Sequence, residues 1–548
     1  MKTRALIVAA CAGLALLWST GLNAPFVYDD KVEVVGNPTI RIFSEYSAIL
    51  LYNVSRPALI ATYALNWSLG GLNPIGYHAL SIAIHLVNVV LVGLLLTRLS
   101  TRTGAQTGAQ TGAQTGAQTG AQWPPSLGWM IAVLWGAHPM TVQCVTYITG
   151  RSDALCATFW LAASLAWMNG RQRQTLVWIA AALCTKELAV TLPIWLYVLR
   201  RPTGPERRTL SFAVGLIAAG AAVRVAVMGW PFLPPQRSFP VQWAAQGEVT
   251  ARYLGLWLLP YGQAILHDPV IDGPRLMGSG ALSLIATALT GIALRSGWRA
   301  HRNNTETPMV ALGWLLVVGW LAPSGALPLK ELMAEHRAYL VGVPVLAALG
   351  YGLVRARMLV PGVVTLLAMY STVTVLQNYL WNSEVRLWTA AAQAYPASAL
   401  TRFGMADALR FSQQWTPAEA QYRTVIAMDP TNEDAAINLG IVLAEQGRSD
   451  EARAQWDAVV LANRESCSAH NNLGALAART GDRLQAMNEY NSALHWCPGD
   501  PVALVNLGDL FWERGDTQSA RSYYERYLTV LPHGAEAERV RLRNGPAE

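Results

Sequence analysis

Charge is what this chain has least of: Asp, Glu, Lys and Arg supply 14% of its 548 residues, while 52% are hydrophobic. A composition so poor in charge excludes an ordinary soluble protein, and the length excludes a single domain. Lysine is missing altogether after residue 380, where 15 arginines meet 21 acidic residues for a net charge of −6; the part before it carries +13. The pI near 9.1 therefore comes from the apolar part alone, where basic residues sit in loops that orient a membrane protein. No nucleic-acid module accompanies that charge, so nucleic acid is not an expected partner. Cysteines number only six, which excludes a disulfide-built scaffold, and Cys11, Cys144, Cys156 and Cys184 lie in apolar stretches as small buried residues. No tightly spaced His/carboxylate cluster marks a metal site, although two adjacent acids can hold a divalent ion. No duplicated half with matched interrupted helices is present, which argues against a transporter.

What the chain does have is a series of apolar runs long enough to cross a bilayer. They fall at 5–22, 77–97, 127–145, 154–169, 209–229, 279–295, 308–327, 338–354 and 358–378. The run 175–199 is interrupted by Thr185-Lys186-Glu187 and reads as two helices meeting at a charged turn, giving about eleven spans. Lys2/Arg4, Arg98/Arg102, Arg171/Arg173, Arg200/Arg201/Arg207/Arg208, Arg295/Arg299/Arg302 and Arg355/Arg357 then share the cytosolic side, as the positive-inside bias requires. The first run continues well past Cys11, so it is expected to remain as an uncleaved helix rather than a removed signal peptide. The opposite side receives the stretch from Asp29 to about Pro74, and everything after 380. Segment 249–266, with Arg252, Pro260 and Gly262, is expected to be interfacial or re-entrant. Residues 103–122 are five tandem Thr-Gly-Ala-Gln copies, which suit a disordered cytosolic loop.

After the membrane part the sequence repeats every 34 residues, the length of a tetratricopeptide helix pair. Ala406, Gly440, Gly474 and Gly508 fill one close-approach slot, and Ala418, Ala452, Ala486 and Ala520 the other. Tyr422, Trp456, Tyr490 and Tyr524 are the aromatic knobs, and Pro430, Pro498 and Pro532 end the second helices. The expected layout is a membrane domain over 1–380, a capping helix over 381–398, four repeats over 399–534 and a tail over 535–548. The fold class is all-α: a polytopic helical domain followed by an α-solenoid, whose inner face binds extended peptides or partner helices. Asn438, Asn472 and Asn506 recur on first helices at the same spacing. They form either an acceptor-binding ladder, since each amide offers donor and acceptor, or merely a residue common at that slot. Cys467 and Cys497 fall at opposite ends of one helix pair, so a disulfide is feasible on an oxidising side; two free thiols are the alternative.

Chemistry is suggested where charges gather at the non-cytosolic helix ends, because ionised groups there are costly unless they face a cavity. Asp29, Asp30, His138, Arg151, Asp153, Lys186, Glu187, Arg224, Glu335, His336 and Arg337 are the candidates. Cations beside carboxylates suit a phosphate leaving group and a base for an acceptor hydroxyl.

The order Phe26-Val-Tyr-Asp29-Asp30, His138-Pro139, Val145-Thr-Tyr-Ile-Thr-Gly-Arg151, Lys186-Glu187-Leu-Ala-Val-Thr-Leu-Pro193, Tyr253 to Asp268, and Glu335-His-Arg-Ala-Tyr-Leu340, followed by the repeats, resembles the transmembrane-and-tetratricopeptide-repeat O-mannosyltransferases and their bacterial relatives. The resemblance covers nearly the whole chain and implies a GT-C glycosyltransferase fold. It implies transfer of a sugar, mannose in the eukaryotic members, from a lipid-linked polyprenyl-phosphate donor to a hydroxyl on the lumenal or periplasmic face. Asp29 and Asp30 would be catalytic; Arg151, Lys186 and Arg337 would bind the donor phosphate; His138, Glu187 and His336 would support them. No cofactor is expected, and a metal is not favoured. An integral protein of a bacterial inner membrane, with cytoplasmic N-terminus and periplasmic repeats, is the expected setting. One departure is Gln143, where the family commonly has an acid. An enzyme of the same fold acting on an envelope lipid or polysaccharide, or a non-catalytic scaffold, are the competing expectations.

Overall fold

The computed structural model describes residues 2–41, 52–54, 56–110, 124, 126–228, 238–267, 273–303, 305, 307–326, 331–531 and 536–544. Helices dominate them, with a lone antiparallel bridge between His267 and Met333. The chain divides into two compact units: residues 1–36 with 43–387, and residues 37–42 with 388–548. The division falls within helix Glu384–Ala394.

In the first unit six described helices are long and apolar enough to cross a membrane: Arg4–Gly21, Pro74–Thr101, Gly204–Val227, Arg275–Arg302, Glu335–Arg355 and Leu359–Trp381. The chain is an integral membrane protein. The other five segments counted toward eleven do not meet that length and composition. Leu127–Ala137 stops at His138-Pro139, because proline lacks the N–H that would continue the helix, and Met309–Ala326 carries Pro323 inside. The charged turn expected at Lys186-Glu187 is present, between helices Gln172–Leu183 and Leu192–Leu199. Between the first two spans lies a helix, Pro57–Gly70, opened by proline at its first position, where proline's missing N–H costs nothing. The segment expected to be re-entrant is the second half of a continuous helix, Phe239–Leu258, followed by irregular chain.

The Thr-Gly-Ala-Gln copies correct the expectation of a disordered loop in part. Helix Pro74–Gln110 runs through the first two copies, because adding residues to an existing helix escapes the cost of nucleation and alanine and glutamine favour it. Residues 111–122 lie outside the described residues.

The second unit stacks four helix pairs: Ala399–Phe411 with Trp415–Met428, Glu433–Glu445 with Ser449–Ala462, Cys467–Thr480 with Arg483–Trp496, and Pro501–Glu513 with Thr517–Val530. The four alanines at the second close-approach slot are all fully buried. A methyl on Gly474 would stand 2.7 Å from the Tyr490 ring, which is why that slot stays small. Each first helix begins on a side-chain cap, and the caps Ser398, Asn432, Ser466 and Asp500 recur at the repeat period. Each cap satisfies an orphan N–H of the first turn. Pro532 lies outside the described residues. The expected tail is instead a helix, Ala537–Asn544, whose Val540 is buried and whose Arg539 and Arg543 pair with Asp509 at 2.8 and 2.6 Å. The Cys467–Cys497 disulfide is formed, with Cα atoms 6.2 Å apart.

Between the helices of each pair one residue turns left-handed: Gln413, Gly447, Gly481 and Gly515, with φ of 60°, 80°, 87° and 83°. Only the first is not glycine, and a side chain there costs roughly 1–2 kcal/mol, partly offset by glycine's greater freedom when unfolded. Gln413→Gly is expected to slow amide exchange around that turn about fivefold, a gain near 1 kcal/mol, while Gly481→Gln speeds exchange in the third repeat.

Candidate functional site

Helix Lys2–Trp18 passes through the turn Ser19–Gly21 into an extended stretch that reverses at Tyr28. Tyr28 has φ of 51°, uncommon for an aromatic residue. The reversal separates the acidic pair. Asp30 is fully buried; its Oδ1 accepts from the Thr149 amide at 2.8 Å and hydroxyl at 2.6 Å, and its Oδ2 from the Val27 amide at 3.2 Å. Burial raises its pKa to about 7 against the pull of those donors. Asp29 is exposed. Lost hydration, then the Glu331 and Glu33 carboxylates, push its pKa above the ordinary value, while Tyr147 and Arg56 act the other way. The buried Tyr147 hydroxyl faces Asp29 beyond strict hydrogen-bond geometry.

Around this turn the charges are paired. The Tyr28 hydroxyl donates to Glu331 Oε1 at 2.6 Å, and burial with Glu331 beside it holds that phenol protonated. Arg337 grips the same Glu331 through its carboxylate at 3.1 Å and its carbonyl at 2.9 Å. Lys186 Nζ reaches Asp153 Oδ2 at 2.6 Å and the Ser152 hydroxyl at 3.2 Å, with both charged side chains almost wholly buried. His336 Nε2 stands 4.0 Å from the same Asp153 oxygen, while Asp153 Oδ1 is buried without a hydrogen-bond partner. Arg56 bridges both Glu187 oxygens, at 3.0 and 3.2 Å. Gln143 is a structural link: its Nε2 donates to the Ala264 carbonyl at 2.8 Å, and its Oε1 accepts from the His336 amide at 3.2 Å.

Two expected site residues stand apart from this cluster. Arg151 is completely buried, and its guanidinium is spent on neutral acceptors: Ser81 at 3.0 Å, Thr62 and Asn66 at 3.0 Å each, and the Tyr77 carbonyl at 2.6 Å. That environment fits a helix tie better than a phosphate ligand. His138 caps the turn Pro139–Thr141 and packs its ring on Trp257 and Tyr370, 4.4 and 4.1 Å between centroids, so its place is structural. Glu335, a candidate from the sequence, is buried with His267 at 2.8 Å. Arg56, Glu331 and Tyr147 went unselected. Arg56 had a signal, an arginine immediately before a helix-opening proline on the side where the basic bias leaves few.

In the repeats the three asparagines differ. Asn438 donates to Asp407 at 3.1 Å, and Asn506 lies beside the Tyr490 hydroxyl. Asn472 is half-buried and, among the described residues, makes no side-chain hydrogen bond.

The tetratricopeptide-repeat family pattern matches residues 403–466, 437–501 and 471–535. The human protein O-mannosyl-transferase TMTC1 is 23% identical over 509 residues, 78% of this chain and 55% of its own length. The Drosophila melanogaster protein O-mannosyl-transferase Tmtc3 is 23% identical over 612 residues, 92% of this chain and 66% of its own. The chain thus spans between about half and two thirds of these curated relatives. The crystal structure of MamA is 18% identical with a TM-score of 0.24, covering 27% of this chain and 86% of its own, a likeness too slight to carry argument.

Asp30→Ala is expected to strand the Thr149 and Val27 amides at about 1–3 kcal/mol each and to lower the thermal midpoint in detergent, whereas Asp29→Ala leaves the midpoint unchanged; circular dichroism melts compare them. By sequence over most of its length, the chain is similar to the TMTC protein O-mannosyl-transferases, and it carries tetratricopeptide repeats at its C-terminal end.

Proposed function

We propose that the chain is an inverting membrane glycosyltransferase of GT-C type, moving a sugar, mannose by its likeness, from a polyprenyl-phosphate carrier to Ser/Thr hydroxyls of an extracytoplasmic protein. The observation that supports this most is one open carboxylate, Asp29, in a cluster that also collects Arg56, Lys186 and Arg337. Asp29 takes the proton of the acceptor hydroxyl as that oxygen bonds the anomeric carbon. The bond from that carbon to the phosphate oxygen breaks on the opposite face, and its electron pair leaves with the polyprenyl phosphate. This anion is stable enough to leave without an acid. Arg337 would meet it with a two-pronged contact and Lys186 and Arg56 as further cations, each exchanging a carboxylate partner for phosphate oxygens. Before the donor arrives, Glu187 holds Arg56 and Asp153 holds Lys186, with His336 beside Asp153. The setting is a bacterial inner membrane, N-terminus cytoplasmic and repeats periplasmic. No cofactor enters this chemistry, so transfer should persist in a chelator.

The base must be ionised to act. Because the Asp29 pKa is raised, the rate should fall as pH drops through a value above the usual carboxylate range near 4. Asp29→Asn is expected to cut kcat by about 10²–10⁴-fold and to abolish that acid limb in detergent assays with polyprenyl-phosphate mannose and peptide. Wild-type turnover by the variant removes Asp29 from the mechanism; transfer to glycan or lipid but not to peptide moves the acceptor class.

The repeats are proposed to hold the acceptor segment. Asn472, its amide uncommitted, is the contact of choice: Asn472→Ala should raise the acceptor KM up to about tenfold at constant kcat, the worth of roughly 1.4 kcal/mol. Asn438→Ala should change it less, since that amide already serves Asp407.

A further inference from the structure

A cavity rimmed by basic side chains lies in the first unit, apart from the carboxylate cluster. Its volume is about 510 Å³, and Tyr197, Arg201, Arg207, Trp298, His301 and Arg302 line it. Three helix ends meet there: the close of Leu192–Leu199, the start of Gly204–Met228 and the close of Gly273–Arg302. The last two helices contain candidate membrane spans, so the cavity sits at the level where a bilayer turns from hydrocarbon to headgroup.

Its chemistry is one-sided. Among the described residues of these three ends the sole carboxylate is Glu206, which is engaged by Arg200 and the Thr203 hydroxyl. Arg207 and Arg302 are exposed and have no carboxylate partner among the described residues; the Arg302 guanidinium instead lies over the Trp298 ring at 5.7 Å. His301 is more than nine-tenths buried, and its Nε2 has no hydrogen-bond partner. Its ring meets Tyr197 edge-on at 5.0 Å. Tyr197 and Trp298 are each about half exposed, as amphipathic rings at a headgroup level are. Beyond the cavity, Phe212, Val214, Ile292 and Leu294 leave apolar side chains open along the same two helices.

We propose that this cavity binds the phosphate of an anionic glycerophospholipid, with its acyl chains lying along those apolar side chains. Basic pockets between membrane helices are suited to such headgroups. A phosphodiester offers two anionic oxygens to the Arg207 and Arg302 forks, and a third contact to His301 Nε2. The rings of Tyr197 and Trp298 hold the glycerol at the interface. The site would anchor three helix ends that are otherwise crowded with like charge.

The test uses the full chain in nanodiscs of phosphatidylcholine alone, or with phosphatidylglycerol or cardiolipin, followed by native mass spectrometry and thermal unfolding. The expected result is one retained anionic phospholipid per chain and a higher thermal midpoint with it. Arg207→Gln/Arg302→Gln should weaken retention at least tenfold. Ser211→Glu places a negative charge on the cavity wall and deletes none of these contacts, so it guards against a folding failure of the double variant and should weaken retention equally. Undiminished retention by both variants, or a midpoint insensitive to anionic lipid, would overturn the site. Saturation by inorganic phosphate in neutral nanodiscs, or displacement of the phospholipid by polyprenyl phosphate, would overturn the lipid assignment.

Discussion

Asp30 is the constraint on which the first unit's polar face depends. Its buried carboxylate joins the loop after the first span to the Thr149 turn that leads into helix Arg151–Met168. A carboxyl group in that setting would cost several kcal/mol if unpaired, so the loop closes only where its donors can reach it. One consequence is geometric. With Asp30 turned inward and Tyr28 in the left-handed region, Asp29 has only the outward direction left.

The same demand for partners organises the rest of the cluster. Lys186 with Asp153 and Arg56 with Glu187 join opposite charges 33 and 131 residues apart in sequence, and Arg337 with Glu331 joins a pair six residues apart. Such pairs add little stability on balance, because desolvation offsets their attraction, but removing one partner leaves a buried charge alone. Each of the three cations in the cluster is therefore held by a carboxylate and not by water alone.

Much of the solenoid could be read from the chain. A period of 34 with small and aromatic residues in phase survives in any sequence whose helices touch only their neighbours, and the caps and left-handed turns repeat with it. The cysteine pair was legible for the same reason: a helix hairpin brings its ends together. The site was legible only in part. Arg151 and His138 stand at helix ends like any ligand, but their partners, Ser81, Asn66, Trp257 and Tyr370, lie 70 or more residues away in sequence, and no local pattern reveals a tertiary acceptor. Arg56 is of the same kind: its partner Glu187 lies 131 residues away, and only the fold joins the two. The helical course through Thr103–Gln110 was hidden by composition, which reports what a segment prefers alone and not what an adjoining span imposes.

The Cys467–Cys497 bond closes on itself within one repeat and joins no two repeats. In a stack whose units gain most of their stability from the units beside them, a covalent staple raises one unit independently of the others. Once oxidised, the third hairpin can persist while its neighbours unravel. It then offers them a ready template, so that re-forming after mechanical or thermal disruption would spread outward from that point in both directions.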